Sequence, residues 1–331
     1  MGNGHNNTPN PQVIIRRIFE EDIHLETPRP SYILLNNGKK CPIIGLGTAL
    51  IKTEEDINVV YQSIADGVRL IDIEPSNEII VGKAIKMAID RNKVKREDLF
   101  IVTKLELEEK DDPEKALNKS LERLKLEYVD LYLDHWPSCK IYKEPKNDTL
   151  IPVKDTWKKM ESLVEKNLTK SIGVCNYTIV NILNIISVCK IKPAVVEVEF
   201  HPYLYQKDLK EFCDLENIVI FAYNSLVKGE YCKKEPSYPK SYDLFSESPI
   251  MFLYRNEKYK HLTRGQIALN WYLSLGIVPI TGTSKKDRMK ENLGAGTFTM
   301  SKRNIDLIGS FEDRQHRFNN GYDIFGVDIF A

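Results

Sequence analysis

Residues 99–135 read LFIVTKLELEEKDDPEKALNKSLERLKLEYVDLYLDH, and this stretch decides the fold. Residues 99–103 and 129–133 are short aliphatic and β-branched runs. Between them, Asp111-Asp112-Pro113 opens a helical pattern whose Leu117, Leu121 and Leu124 fall on one face. A continuous apolar run suits a strand buried on both faces, and a helix crossing between two such strands makes a parallel βαβ unit.

Outward from this unit the alternation repeats. Further short apolar runs occupy 43–47, 68–73, 170–174, 194–199, 218–223 and 277–280. Thr53-Glu54-Glu55-Asp56 has the form of a capping box; Ile57, Val60, Tyr61 and Ile64 share one face, and Gly67 stops that helix. Trp157, Met160, Leu163 and Val164 make another stripe after Asp155. Eight strands separated by helices predict an α/β protein closed as a (β/α)8 TIM barrel. An open dinucleotide-binding sheet is disfavoured, because Gly45-Leu46-Gly47-Thr48-Ala49-Leu50 lacks the third glycine of its fingerprint. Residues 1–30, rich in Asn, Pro and charge, read as a loose extension before one domain over 31–331. The stretches 137–153 and 224–262 are too long for plain connectors and belong on the C-terminal face, where barrel sites are built.

Composition narrows the function classes. The 47 basic and 47 acidic residues cancel, so no global field points to nucleic acid, and no apolar run reaches the roughly 18 residues of a membrane span. Cys41, Cys139, Cys175, Cys189, Cys213 and Cys232 are scattered without CxxC spacing, which suggests neither a metal site nor a redox pair. The absence of an apolar leader in these residues makes a cytoplasmic location the expectation, with Asn6-Asn7-Thr8 and Asn147-Asp148-Thr149 as chance glycosylation matches. Nothing in the sequence specifies an oligomer; a barrel can bury its core as a monomer.

At the C-terminal ends of the expected strands stand Thr48, Asp72, Lys104, His135, Cys175-Asn176, Glu197, Tyr223 and Thr281 to Thr283. Two readings fit this ring. It is a catalytic set, or it is a structural Asp–Lys ion pair beside a histidine bonded to backbone.

Several stretches, in order, resemble the aldo-keto reductases: Gly45-Leu46-Gly47-Thr48, Asn77-Glu78, Arg96 to Lys104, and Tyr128 to Tyr132. His135-Trp136-Pro137, Ile172 to Tyr177, His201-Pro202-Tyr203 and Ala222-Tyr223 continue it, so that it runs from about residue 32 to 300. The resemblance implies a barrel that binds NADPH and reduces a small-molecule aldehyde or ketone. In that family a tyrosine donates the proton, a lysine held by an aspartate lowers the phenol's pKa, and a histidine orients or shares the proton. Asp72, Lys104 and His135 match the aspartate, lysine and histidine, and Trp136 matches an aromatic wall of the substrate pocket, a core tryptophan being the alternative. Thr48, Cys175, Asn176, Glu197, Tyr223, Ser225 and Leu226 fall at cofactor positions. Thr283, Arg288 and Asn292 match the segment that grips the adenosine end; an arginine fork there favours NADPH over NADH.

The departures are as specific as the matches. Asp72 and Asn77 stand two residues closer than in the family pattern, Pro75 takes the tyrosine's place, and no tyrosine occurs between Tyr61 and Tyr128. Glu74, Ser76 or His135, alone or through water, are the candidate substitutes, whereas Tyr132 is expected to point into the packing. Cys175 replaces a serine, Val196 and Glu197 replace an Asn-Gln pair, and Gly282 replaces a lysine. An ionised Glu197 would accept from a carboxamide NH2, could not donate to its carbonyl, and would favour an oxidised nicotinamide. Three functions remain open: a reductase with a remodelled proton donor, a non-catalytic NADP(H)-binding sensor or partner-binding protein, and a structural barrel without cofactor.

Overall fold

The computed structural model describes residues 29–137, 151–227, 243–310, 316–326 and 328–330. A hairpin of β1 (Tyr32–Leu34) and β2 (Lys40–Pro42) precedes eight parallel strands that close into one barrel. These are β3 (Gly45–Gly47), β4 (Leu70–Asp72), β5 (Phe100–Leu105), β6 (Leu131–Asp134), β7 (Ile172–Cys175), β8 (Val195–Glu199), β9 (Val219–Tyr223) and β10 (Val278–Gly282), with β10 pairing β3 to close the ring. The (β/α)8 expectation is met, with every expected strand present.

Helices α1 (Ile57–Ala65), α2 (Glu78–Asp90), α3 (Pro113–Leu124), α4 (Val153–Glu165), α5 (Ile179–Ile186) and α6 (Lys207–Glu216) alternate with β3 to β9. Then α7 (Ser248–Arg255) and α8 (Arg264–Ser274) precede β10, and α9 (Lys286–Leu293), α10 (Lys302–Gly309) and the short α11 (Tyr322–Phe325) follow it. The Thr53 capping box forms, as its amide and hydroxyl both donate to Asp56 Oδ2, although the first turn it caps is 3-10. In α3, Asp112 caps the Lys115 amide, Pro113 starts the helix without needing an N–H, and Lys125 ends it at φ 58°. No helix among the described residues is long and apolar enough to cross a membrane. Residues 1–28 of the expected extension, most of 137–153 and 228–242 of the second long connector lie outside the described residues. Arg29 is anchored, donating to the carbonyls of Leu273 and Phe298.

Strand period positions the site. Side chains alternate between faces, so every second residue of a barrel strand enters the interior. Leu70, Phe100, Val102, Leu131, Leu133, Val195, Phe221 and Ile280 fill that interior, plugged at the N-terminal end by Leu35 and Cys41 near the hairpin. The intervening Ile71, Ile101, Tyr132, Val174, Val196 and Val198 face outward into the layer packed by Val60, Ile85, Leu117, Trp157 and Ile182 of the helices. Two residues beyond the interior leucines and valines, the same parity delivers Asp72, Lys104 and Glu197 to the inside. Gly45 leaves room for this filling, since a Cβ there would lie 2.5 Å from Ile280 Cδ1. Val196, read as a departure at the cofactor, instead belongs to the outer layer.

Candidate active site

Lys104 is the centre of the site. Its side chain is 1% exposed, and its Nζ lies 2.7 Å from Asp72 Oδ1, 3.0 Å from Glu74 Oε1 and 3.4 Å from Glu197 Oε1. Burial alone would lower the lysine's pKa, but attraction to Asp72, then Glu197 and Glu74, raises it well above its ordinary value. Lys104 is therefore a fixed ammonium around which three carboxyls compete.

The three respond differently. Burial, followed by repulsion from Asp72, pushes Glu197 up to about 8 against the pull of Lys104. Its surroundings thus favour the protonated form, and its Oε2 is buried without a hydrogen-bond partner among the described residues. Asp72 is also raised, burial outweighing the attraction of Lys104. Glu74 goes the other way. Burial opposes its charge, but Lys104, then His135, and the hydrogen bond from Lys104 hold its carboxyl below the usual range. Its side chain is 29% exposed, so it is the member of the cluster reachable from the barrel mouth.

Pro75 accounts for where Glu74 sits. The residue before a proline is steered out of the helical region. Glu74 accordingly takes φ −81°, ψ 136°, while Pro75 occupies the first position of a 3-10 turn through Asn77. That turn is fastened to β3's end: Thr48 Oγ1 donates to Asp72 O and Asn77 Oδ1, and Asn77 Nδ2 returns a bond to Thr48 O. Ser76 is exposed and Tyr132 lies in the outer layer, its phenol raised well above its ordinary pKa by burial and then by Glu109. Of the candidate substitutes, Glu74 is the one that bonds Lys104.

His135, at the end of β6, sets its Nδ1 3.1 Å from Glu106 Oε1. Beneath it, Asp134 faces outward, takes an ion pair from Lys110 at 2.6 Å and accepts from Tyr177 OH at 2.6 Å. Lys110 Nζ also donates to the Trp136 carbonyl, so a buried network pins Asp134 and Trp136, the residues on either side of His135. Trp136 is 3% exposed, edge-on to Phe325 at 5.4 Å and close to Leu107 and Phe330.

On the neighbouring wall, just past β7, Asn176 adopts φ 62°, donates from Nδ2 to the His135 carbonyl at 3.1 Å and accepts from Tyr223 OH at 2.8 Å. Asn319 Nδ2 in turn donates to the Tyr223 hydroxyl, and its backbone N–H donates to Glu199 Oε2 at 2.8 Å. The C-terminal segment is thereby clasped to the mouth through Glu199, which His201 faces at 3.1 Å and which also accepts from Asn224. Cys175 is buried; burial, then Glu197, keeps it a thiol.

A second group stands apart, beyond β10. Thr283 Oγ1 accepts from the Lys285 amide at 3.0 Å, Arg288 is exposed on α9, and Asn292 is buried with Nδ2 on Thr281 Oγ1. Ser225 is occupied internally, its hydroxyl on Ile280 O and its carbonyl accepting from Tyr272, and Leu226 packs against the core. Structure thus gathers Asp72, Lys104, His135, Cys175, Asn176, Glu197 and Tyr223 in one mouth, while Thr283, Arg288 and Asn292 form the separate β10–α9 corner. Glu106, Glu199 and Lys110 were not singled out from sequence. The spacing of Glu106 two residues beyond Lys104 on the same parity is the one signal that could have found any of them.

A parallel (β/α)8 barrel whose C-terminal mouth holds a buried lysine among carboxyls, with a histidine beside them, defines a class of barrels with charged chemistry at the strand ends. Within that class the chain belongs to the aldo/keto reductase family, whose model matches residues 43–313. It is 37% identical over 297 residues to aldo-keto reductase family 1 member A1 of Gallus gallus, covering 84% of this chain and 88% of that protein. It is 32% identical over 314 residues to an NADPH-dependent aldose reductase of Saccharomyces cerevisiae, covering 88% of this chain and 95% of that one. The crystal structure of a Bombyx mori aldo-keto reductase in complex with NADP is similar at TM-score 0.78 and 28% identity, over 90% of this chain and 97% of that chain.

Proposed function

We propose that this chain is an NADP(H)-dependent oxidoreductase that interconverts a small-molecule carbonyl and its alcohol, with Glu74 taking the place of the family's tyrosine. The observation that carries this is the contact of Glu74 with Lys104 at 3.0 Å, at the one cluster position open to the mouth. The relatives named for NADPH or NADP support the cofactor class.

The residues present fit such a cofactor. Glu197 offers a buried oxygen, Oε2, with no partner among the described residues, and a carboxyl whose surroundings favour the protonated form. In that form it donates an O–H as well as accepting, which restores what a glutamine amide supplies to a carboxamide. Asn176 and Tyr223 stand on the same wall, and Thr48 and Cys175 complete that end; Thr283, Arg288 and Asn292 would hold the adenosine phosphate end. When bound, the nicotinamide supplies or takes up the hydride. The chain's own part is to hold the substrate oxygen near Glu74 and His135, to move a proton at Glu74, and to fix the charge of Lys104 behind it. Trp136, under Phe325, bounds the substrate side, and substrate choice falls to the loops after β6 and β9.

The test is steady-state turnover of benzaldehyde with NADPH, and of benzyl alcohol with NADP+, by the full chain and by Lys104→Met. Loss of roughly 10²-fold or more in the variant supports the assignment. Equal turnover in the two overturns it. The second reading, a non-catalytic NADP(H)-binding barrel, is favoured by one feature, Pro75 at the tyrosine's place. It predicts saturable NADPH binding with no turnover of either substrate.

A further inference from the structure

We infer that the proton-transfer group of this chain rests as a base, Glu74, so that the site is poised for alcohol oxidation rather than for carbonyl reduction. This rests on the oxidoreductase reading above and specifies the direction in which that site is set.

A tyrosine at this place is a neutral acid that holds its proton at pH 7 and has it to give. Here the group against Lys104 is a carboxylate paired with an ammonium at 3.0 Å, which favours the ionised form. The titratable groups that face Glu74 are Asp72 from β4, Lys104 from β5, His135 at the end of β6, Cys175 from β7 and Glu197 from β8. Lys104 and His135 favour its charge, and the outcome is a carboxyl held below the usual range. Glu74 Oε1 is engaged by Lys104, and Oε2 has no hydrogen-bond partner among the described residues. A substrate hydroxyl entering the mouth therefore meets an anionic acceptor with an open oxygen.

The alcohol O–H bond breaks and its proton passes to Glu74. The carbinol C–H bond breaks as a hydride leaves for an oxidised nicotinamide dinucleotide, and the C–O bond becomes C=O. The alcohol is oxidised by two electrons, the nicotinamide is reduced, and the Glu74 proton is released to solvent through the exposed mouth. The Glu74 carboxylate at the mouth would attract the cationic, oxidised ring more than the neutral, reduced one.

The pH dependence of the two directions tests this on the full chain. If Glu74 is the acid–base group, oxidative kcat/KM of benzyl alcohol is flat between pH 6 and 8. Reductive kcat/KM of benzaldehyde then falls about tenfold per pH unit over the same window, because the protonated carboxyl is the minor form. Glu74→Gln lowers both directions by roughly 10²–10⁴-fold, and Glu74→Asp retains the reductive slope. Independently of turnover, Glu74→Gln weakens NADP+ binding relative to NADPH by roughly fivefold, read by calorimetry for one and fluorescence for the other. A reductive rate flat across pH 6–8 overturns the inference, and one that breaks only near pH 8 moves the proton to Glu197 and overturns it too. In both cases cofactor binding still stands. Failure to bind either NADP+ or NADPH instead removes the oxidoreductase reading, and the inference with it.

Discussion

Replacing Glu197 by glutamine should make the protein more stable at alkaline pH and leave it unchanged at acid pH. Glu197 is 3% exposed, points into the barrel and has its pKa raised from 4.5 to about 8 by burial and then by Asp72. The folded state therefore binds this proton more tightly than the unfolded chain does. The stability it contributes is complete below about pH 4.5, declines as pH rises, and is fully lost once pH passes about 8. At 1.36 kcal/mol per pH unit, that displacement corresponds to roughly 5 kcal/mol between the two limits. Glutamine keeps the shape and cannot ionise. Chemical denaturation of both proteins at pH 5, 6, 7, 8 and 9 gives the assay. The stability of Glu197→Gln relative to the parent should climb by about 1.4 kcal/mol per pH unit from pH 5 to 8 and then level off. A difference constant across that range would mean that Glu197 is solvated or fully ionised by Lys104, and the electrostatic account of the site would fall.

Two further perturbations probe the flanks. Arg288→Ala, which removes an exposed guanidinium on α9, should weaken NADPH by roughly tenfold or more and leave NADH unchanged, read by nicotinamide fluorescence. Phe325→Ala uncovers Trp136; it should shift tryptophan emission to the red and cost about 1 kcal/mol beyond the buried area lost. An unshifted spectrum would mean that α11 does not cover the indole.

The barrel was legible because its strands are buried on both faces and read as short apolar runs, such as LFIV at 99–102 and IVIFAY at 218–223. Within such a run the period of two also says which residues face inward once one of them is known. Lys104 fixes the parity of β5, and Asp72 and Glu197 then converge on it. The same parity turns Val196 away from the barrel interior and into the layer packed by the helices. What could not be read is where a turn aims its side chains. Either Glu74 or Ser76 could reach the site by sequence, and the restriction Pro75 places on its predecessor separates them, leaving one on Lys104 and the other exposed. Contacts across more than a hundred residues, such as Glu199 with the Asn319 amide, leave no local trace at all.

Every functional assignment proposed for this mouth requires that it bind a nicotinamide cofactor despite Pro75. Titration of the full chain with NADPH, followed by fluorescence of the reduced nicotinamide, tests it most directly. Saturable enhancement with one site per chain, competed by NADP+ and weakened by Arg288→Ala, is the predicted result. A folded protein that leaves the nicotinamide fluorescence unchanged and is not stabilised by either form of the cofactor would contradict it.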